Sequence, residues 1–319
     1  MIEIVALSDA MREVVRLAER VASTDANVLV TGESGAGKDA LAGLIHARST
    51  RAGGALVKID CAALPSELLE AEFFGYERGA FTGAIESRPG RLEAAHGGTL
   101  ILDEIAHLPV NAQAKLLRVI EEREFERLGG RRTVKVDARL IALTNVDLDD
   151  AVRRRAFRED LFYRLNVVRL HVPPLRERRE DIEKLARQFV KTYALKHGRD
   201  VVGVTTEALS ILKAYEFPGN VRELANTIER AVIVAREAKI QIADLPEAMR
   251  ASVQLQKRSV KQRTLAELEA DYISETLEAA RGNKTEAARL LGISRKNLYE
   301  KIARYGIVVG GQRKSDSGK

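Results

Sequence analysis

Short apolar runs of strand length alternate along this chain with longer segments whose apolar residues recur every three or four positions. Asn27–Thr31, Ala55–Ile59, Thr99–Leu102, Ala138–Leu143 and Val167–Val172 read as buried strands. Asp9–Ala22, Asp39–Ala47 and Asn111–Glu121 carry the spacing of amphipathic helices. Strands alternating with helices predict an α/β core: a parallel sheet with helices on both faces. Pro173-Pro174 ends the alternation, and Arg179–Leu195, Thr206–Tyr215 and Val221–Ala235 predict a small helical subdomain. Residues 251–263 are polar and basic with weak periodicity, the mark of a linker. Thr264 then opens a helix reaching about Ala280, with Thr264-Leu265-Ala266-Glu267 as a capping box. Gly282-Asn283 breaks it. Two short helices follow, Lys284–Leu291 and Arg295–Tyr305, joined by Gly292-Ile293-Ser294. The expected division is 1–172, 173–250, 251–263 and 264–319.

Composition narrows the class. No apolar run approaches the ~20 residues of a membrane helix. Met1-Ile2-Glu3-Ile4 carries no basic segment of the kind that opens a signal peptide. Cys61 is the only cysteine, so no intrachain disulfide can form, which fits a reducing cytoplasm. The five histidines have no ligand spacing and are expected to be structural. Net charge is +6, and residues 255–319 hold 14 basic against 8 acidic side chains, so the whole excess lies in the tail. A basic tail points to a polyanion, most simply double-stranded DNA.

Chemistry is concentrated in two strings. Gly32-Glu33-Ser34-Gly35-Ala36-Gly37-Lys38 matches G-x-x-x-x-G-K between a predicted strand and a predicted helix, the context of a phosphate-binding loop. Its glycines admit backbone N–H groups to phosphates, and the helix behind points its positive end at them. Lys38 is expected to neutralise the β- and γ-phosphates of ATP. Downstream, Asp103-Glu104 ends an apolar strand. Asp103 is the expected Mg²⁺ ligand, and Glu104 the base that orients attacking water. The residue after Lys38 is Asp39, where a hydroxyl ligand for magnesium is usual, so the ion must rely on Asp103, water and phosphate, with Asp39 acting through water.

Between these halves lies Gly79-Ala80-Phe81-Thr82-Gly83-Ala84. A Phe between glycines is not phosphate chemistry; it suits a contact surface moved by ATP turnover. This GAFTGA string, with Glu72-Phe73-Phe74-Gly75-Tyr76-Glu77-Arg78 before it, resembles the signature loop of the sigma-54-dependent transcription activators, the bacterial enhancer-binding proteins. The resemblance extends from about Met11 to about Tyr305.

It implies an AAA+ ATPase core with a helical lid and a Fis-type helix-turn-helix domain. Gly79–Ala84 would then contact the sigma factor, with Phe81 as apolar anchor and Thr82 as polar contact. Thr144-Asn145 resembles sensor I, Asn145 holding water or reading the γ-phosphate. Asp60 stands where the family often has an Asn that restrains the catalytic Glu. Phe157–Leu165 resembles the arginine-finger segment, so Arg158 and Arg164 would reach a neighbouring subunit's γ-phosphate, worth about 10³–10⁵ in rate. Gly219-Asn220-Val221-Arg222-Glu223-Leu224 resembles sensor II, with Arg222 bridging lid and nucleotide. In the tail, Arg295, Lys296, Asn297 and Lys301 are the expected DNA contacts.

The implied protein works on sigma-54 RNA polymerase as a homo-oligomer, a hexameric ring with a dimeric resting state in view. Many relatives carry an N-terminal receiver or sensory domain, whereas about eight residues precede the first expected helix here, so either a separate partner is expected to control the protein or the chain is a fragment. Two other readings stay open: a DNA-bound regulator of the ordinary polymerase that uses ATP only to oligomerise, and an AAA+ replication initiator or helicase loader. Neither requires the GAFTGA loop.

Overall fold

A computed structural model describes residues 4–251, 265–280 and 282–307. The expected linker, apart from Ala251, and the Thr264 cap lie outside them. The chain divides into two compact units, residues 1–250 and 251–319.

The first unit opens with α1 (Asp9–Ala22), β1 (Val28–Thr31), α2 (Lys38–Ala47), β2 (Leu56–Asp60) and α3 (Ser66–Phe74). A two-residue antiparallel pair, β3 (Gly75–Tyr76) with β4 (Arg88–Pro89), precedes α4 (Arg91–Ala94) and β5 (Thr99–Asp103). Then come α5 (Val110–Glu122), a second short pair β6 (Glu124–Glu126) with β7 (Thr133–Lys135), β8 (Arg139–Thr144), α6 (Leu148–Arg153), α7 (Glu159–Leu165) and β9 (Val168–His171). The two small pairs were not foreseen, because two or three residues cannot display a period. The five longer strands form one parallel sheet in the order β2-β5-β8-β1-β9.

Period-two alternation sorts the strand residues between two cores. Val28, Val30, Ile101, Ile141 and Leu143 pack with Met11, Ala18, Leu41 and Ile45 of α1 and α2. Leu29, Leu100, Leu102, Leu140 and Ala142 face the other way, toward Phe73, Leu116 and Leu161 of α3, α5 and α7. Each fully buried aliphatic side chain contributes about 1.5–3 kcal/mol. β2 is an edge strand and buries only Ile59 fully, which lets it carry Lys58 and Asp60.

After β9 the chain is mainly helical: α8 (Arg179–His197), α9 (Thr206–Ala214) and α10 (Asn220–Val234), with a small parallel pair β10 (Gly203–Val204) and β11 (Lys239–Ile240). The Thr205 hydroxyl caps α9, and left-handed Gly198 ends α8. Ile182, Leu212, Phe217, Leu224 and Ile228 form a separate core, which Val5 joins. Asp181 is fully buried on α8 and accepts the N–H groups of Leu7 (2.6 Å) and Ser8 (3.0 Å). The N-terminal segment is thereby tied to the lid.

The second unit contains α11 (Leu265–Ala279), α12 (Lys284–Leu290) and α13 (Arg295–Tyr305) around Ile273, Leu277, Ala287, Ala288 and Leu298. The small alanines let α12 pack closely. Asn283 caps α12, and Ser294 caps α13 by accepting the Asn297 N–H at 3.2 Å. Among the described residues no helix is long and apolar enough to cross a membrane.

Candidate functional site

Thr31, Asp60, Asp103 and Thr144 stand at the carboxyl ends of adjacent strands, with Asp60 opposite Asp103 and Thr31 opposite Thr144 in register. In a parallel α/β sheet this edge is where ligands sit. Gly32–Gly37 leaves β1 here and leads into α2, which begins at Lys38. Gly35 is left-handed (φ 74°), and a Cβ on it would fall 2.5 Å from the Gly219 carbonyl oxygen. Only glycine lets the loop meet the lid this closely. Lys38 is 6% exposed and donates to the carbonyls of Gly32 (2.8 Å) and Glu33 (3.2 Å). Burial lowers its pKa, against the opposing charges of Glu104, Asp103 and Asp39.

Asp103 and Glu104 reach the same cleft, of about 200 Å³, which Ser34, Lys38, Asp39 and Arg222 also line. Glu104 has φ 50°, a conformation costly for a non-glycine residue. Its N–H donates to Asp103 Oδ1 (3.0 Å), and its Oε2 accepts the Asn145 backbone N–H (3.3 Å). Asn145 therefore meets Glu104 through its main chain. Asp60 is occupied by its own turn, Oδ1 accepting the Ala62 N–H at 2.9 Å. Among the described residues no group of three or more His, Cys, Asp or Glu could hold a metal. A hard cation would need Asp103 together with phosphate oxygens and water.

Lys58 was missed by sequence reasoning. Its ammonium bonds Asp103 Oδ2 at 2.7 Å and also Asp39. Burial alone would lower its pKa, but the bonds to Asp103 and Asp39 outweigh that and hold it above the ordinary value. The available signal was a lysine inside the apolar run Ala55–Ile59.

The lid contacts extend beyond the expected Arg222, whose Nη1 donates to Ser34 Oγ at 3.0 Å. Arg176 grips Glu33 with two bonds of 2.9 and 2.6 Å. Asn220 is fully buried at φ 53° and donates to Glu33 Oε2 (3.0 Å) and the Ser34 carbonyl (3.1 Å). Its Oδ1 accepts the Leu175 N–H at 2.8 Å. Arg176 first, then Asn220, pulls the Glu33 pKa down to about 2. Arg178, 3% exposed, donates to the Ala36 carbonyl. An Asn two positions before the expected sensor arginine was the sequence signal for this latch.

Arg158 and Arg164 do not line the cleft. Arg158 pairs with Asp160 at 2.7 Å and Arg164 with Glu121 at 2.9 Å, all with side chains more than 40% exposed. Such surface pairs contribute little and release their arginines readily. Gln113, fully buried, fixes this segment: its Oε1 accepts the Arg158 N–H at 2.8 Å, and its Nε2 donates to the carbonyls of Leu108 and Ala156.

The Gly79–Ala84 loop projects between α3 and α4, beyond the β3–β4 pair. The Gly79 N–H donates to the Ala84 carbonyl (2.9 Å), and both Gly79 (φ 84°) and Gly83 (φ 102°) are left-handed. Phe81 is 41% exposed and meets the Tyr76 ring edge-on at 5.0 Å. Arg127 braces the base through Glu93 (2.7 Å) and Glu77 (3.1 Å). A cleft of about 720 Å³ runs beside the loop, lined in part by Phe81, Thr82, Leu68 and Val110.

In the second unit Arg295, Lys296 and Asn297 are exposed in the first turn of α13. Lys301 differs from expectation: its ammonium bonds Glu269 at 2.5 Å, and its side chain is only 22% exposed. Tyr305 donates to the same carboxylate.

Residues 4–171 match the sigma-54 interaction domain, 176–262 the AAA+ ATPase lid domain, and 264–305 the Fis family of bacterial regulatory proteins. The chain belongs to the family of sigma-54-dependent transcriptional activators. It is 48% identical over 308 residues to regulatory protein AtoC of Escherichia coli K12, covering 94% of this chain and 67% of that one. It is 45% identical to transcriptional regulatory protein FlbD of Caulobacter vibrioides over 93% of this chain and 69% of that one. The chain thus spans about two thirds of the length of these relatives. NtrX of Brucella abortus, solved in complex with ADP, superposes with a TM-score of 0.70 at 36% identity, covering 96% of this chain and 69% of that one. The first unit of this activator is accordingly an AAA+ ATPase, and Gly32–Lys38 and Asp103-Glu104 lie together at the carboxyl edge of its sheet.

Proposed function

We propose that this activator binds upstream DNA, assembles into a ring of six, and uses ATP hydrolysis to remodel the closed complex of sigma-54 RNA polymerase. The observation that carries this reading is Phe81, exposed at the tip of a loop whose base is braced by Arg127. Residues 1–172 act as the ATPase core, 173–250 as the lid, 251–263 as linker and 264–319 as the DNA-binding domain, in the cytoplasm.

Gly32–Asp39 cradles the triphosphate, with Lys38 turning from the loop carbonyls to the β- and γ-phosphates. Glu104 takes a proton from water as its oxygen attacks the γ-phosphorus; the bond to the β-phosphate oxygen breaks, leaving ADP and inorganic phosphate. Asn145 holds Glu104 in place, with Asp60 on the neighbouring strand. Asp103 would hold a magnesium ion, which would supply positive charge to the phosphate oxygens. Arg158 and Arg164 leave their weak surface pairs for the γ-phosphate of the adjacent subunit. Arg222, on the lid helix, senses the phosphates and passes their loss to the lid.

The Gly79–Ala84 loops, gathered on one side of the ring, press on the sigma factor. Arg295, Lys296 and Asn297 read DNA, while Lys301 supports their helix. The test is binding of purified sigma-54 to the full chain with ADP–aluminium fluoride. A stable complex, lost in Phe81→Ala while ATPase activity remains, supports the reading. Normal ATPase activity with no complex overturns it in favour of a regulator of the ordinary polymerase.

A further inference from the structure

We propose that Lys58 is a built-in counter-cation for the carboxylates of the nucleotide site and sets how much divalent cation that site requires. The inference rests on the ATP-site reading above. Lys58 projects from edge strand β2, and its ammonium joins Asp103 Oδ2 (2.7 Å) to Asp39. Asp103 is 16% exposed at its side chain, whereas Asp39 and Lys58 are about half exposed (54% and 43%). An ammonium has three donors and can hold both carboxylates at once.

A divalent cation on Asp103 competes with that ammonium for the same oxygen and is repelled by its charge. Lys58 therefore neutralises the pair when no phosphate is near, and a bare cation gains little by binding. A triphosphate adds negative charge, and the balance then favours the metal. The flexible lysine stem lets the ammonium leave Asp103 while keeping Asp39. The site thus selects the metal–nucleotide complex over the free metal. The half-exposed Lys58–Asp39 pair adds little to stability, and the circular dichroism of each variant checks that the fold survives loss of the bond to Asp103.

The experiment titrates the full chain with Mn²⁺, read by its electron paramagnetic resonance signal, without nucleotide and with ADP. The Mg²⁺ dependence of binding a fluorescent ATP analogue is measured alongside. In Lys58→Met, Mn²⁺ without nucleotide should bind about five- to tenfold more tightly, and half-saturating Mg²⁺ should fall by a similar factor. Lys58→Arg keeps the charge and should match the wild type. Lys58→Gln is a second neutral variant should Lys58→Met lose its wild-type circular dichroism. Unchanged or weaker Mn²⁺ affinity in a folded neutral variant overturns the proposal. A wild type that binds no ATP analogue at any Mg²⁺ concentration overturns the ATP-site reading instead.

Discussion

Asn220 is the residue whose replacement should most clearly expose the lid latch. Its side chain makes three hydrogen bonds, to Glu33, to the Ser34 carbonyl and from the Leu175 N–H, at a fully buried position. In Asn220→Ala the two donated bonds are lost at about 1 kcal/mol each, and the orphaned Leu175 N–H costs about 2 kcal/mol more. The backbone at φ 53° then adds up to about 1 kcal/mol, because alanine tolerates the left-handed region less well than asparagine. The expected loss is therefore about 4–5 kcal/mol. Asn220→Gly should lose about 1 kcal/mol less, since glycine removes only the backbone strain. At roughly 2–4 °C per kcal/mol, the melting transition of the first unit should fall by about 10 °C or more in the alanine variant. Urea denaturation followed by circular dichroism measures both variants. A loss below about 1 kcal/mol in Asn220→Ala would show that the latch does not hold the lid. Equal losses for Ala and Gly would remove the strain contribution from the account.

Burial pushes the Cys61 thiol up to about 12, so at pH 8 it should resist iodoacetamide until the chain is unfolded; rapid labelling of the native protein would refute this. The Glu33 carboxyl is depressed from 4.5 to about 2, so its stabilising contribution is complete above about pH 4.5 and lost as pH falls toward 2. The stability gap between wild type and Glu33→Gln should accordingly shrink across that window in acid titrations followed by circular dichroism; a constant gap would contradict the assignment. Because Lys301 is engaged by Glu269, Lys301→Ala should leave the salt dependence of DNA binding unchanged, whereas Arg295→Ala should lower the slope by about 1. The opposite result would place Lys301 on phosphate.

Much of the fold was legible because it is written in local periodicity. The five expected strands lie within a residue or two of those observed, as do the expected helices that flank them. The break at Gly282-Asn283 and the turn at Gly292 are local chemistry too, although Asn283 also caps the helix that follows, a role not foreseen. The pairs β3–β4 and β6–β7 were not legible, since each is held by a partner strand rather than by its own pattern.

The site divides in the same way. Gly32–Lys38 and Asp103-Glu104 announce themselves because contiguous residues build the glycine-rich loop and the strand-end carboxylates. The GAFTGA loop is likewise one short string. Arg176, Asn220 and Lys58 act on residues 143, 187 and 45 positions away (Glu33 for the first two, Asp103 for Lys58), and no local pattern reveals such partners. Lys301 shows the converse: its charge and helical position suited DNA, but Glu269, 32 residues earlier, holds the ammonium. By itself the sequence determined the elements, the glycine-rich G-x-x-x-x-G-K loop and the GAFTGA string, because each depends on neighbours in the chain. Only the tertiary structure decided which charges are paired, which asparagine bonds Glu33 across the lid and which lysine pairs with Asp103 and Asp39, because a side chain's partner is set by the packing of distant segments.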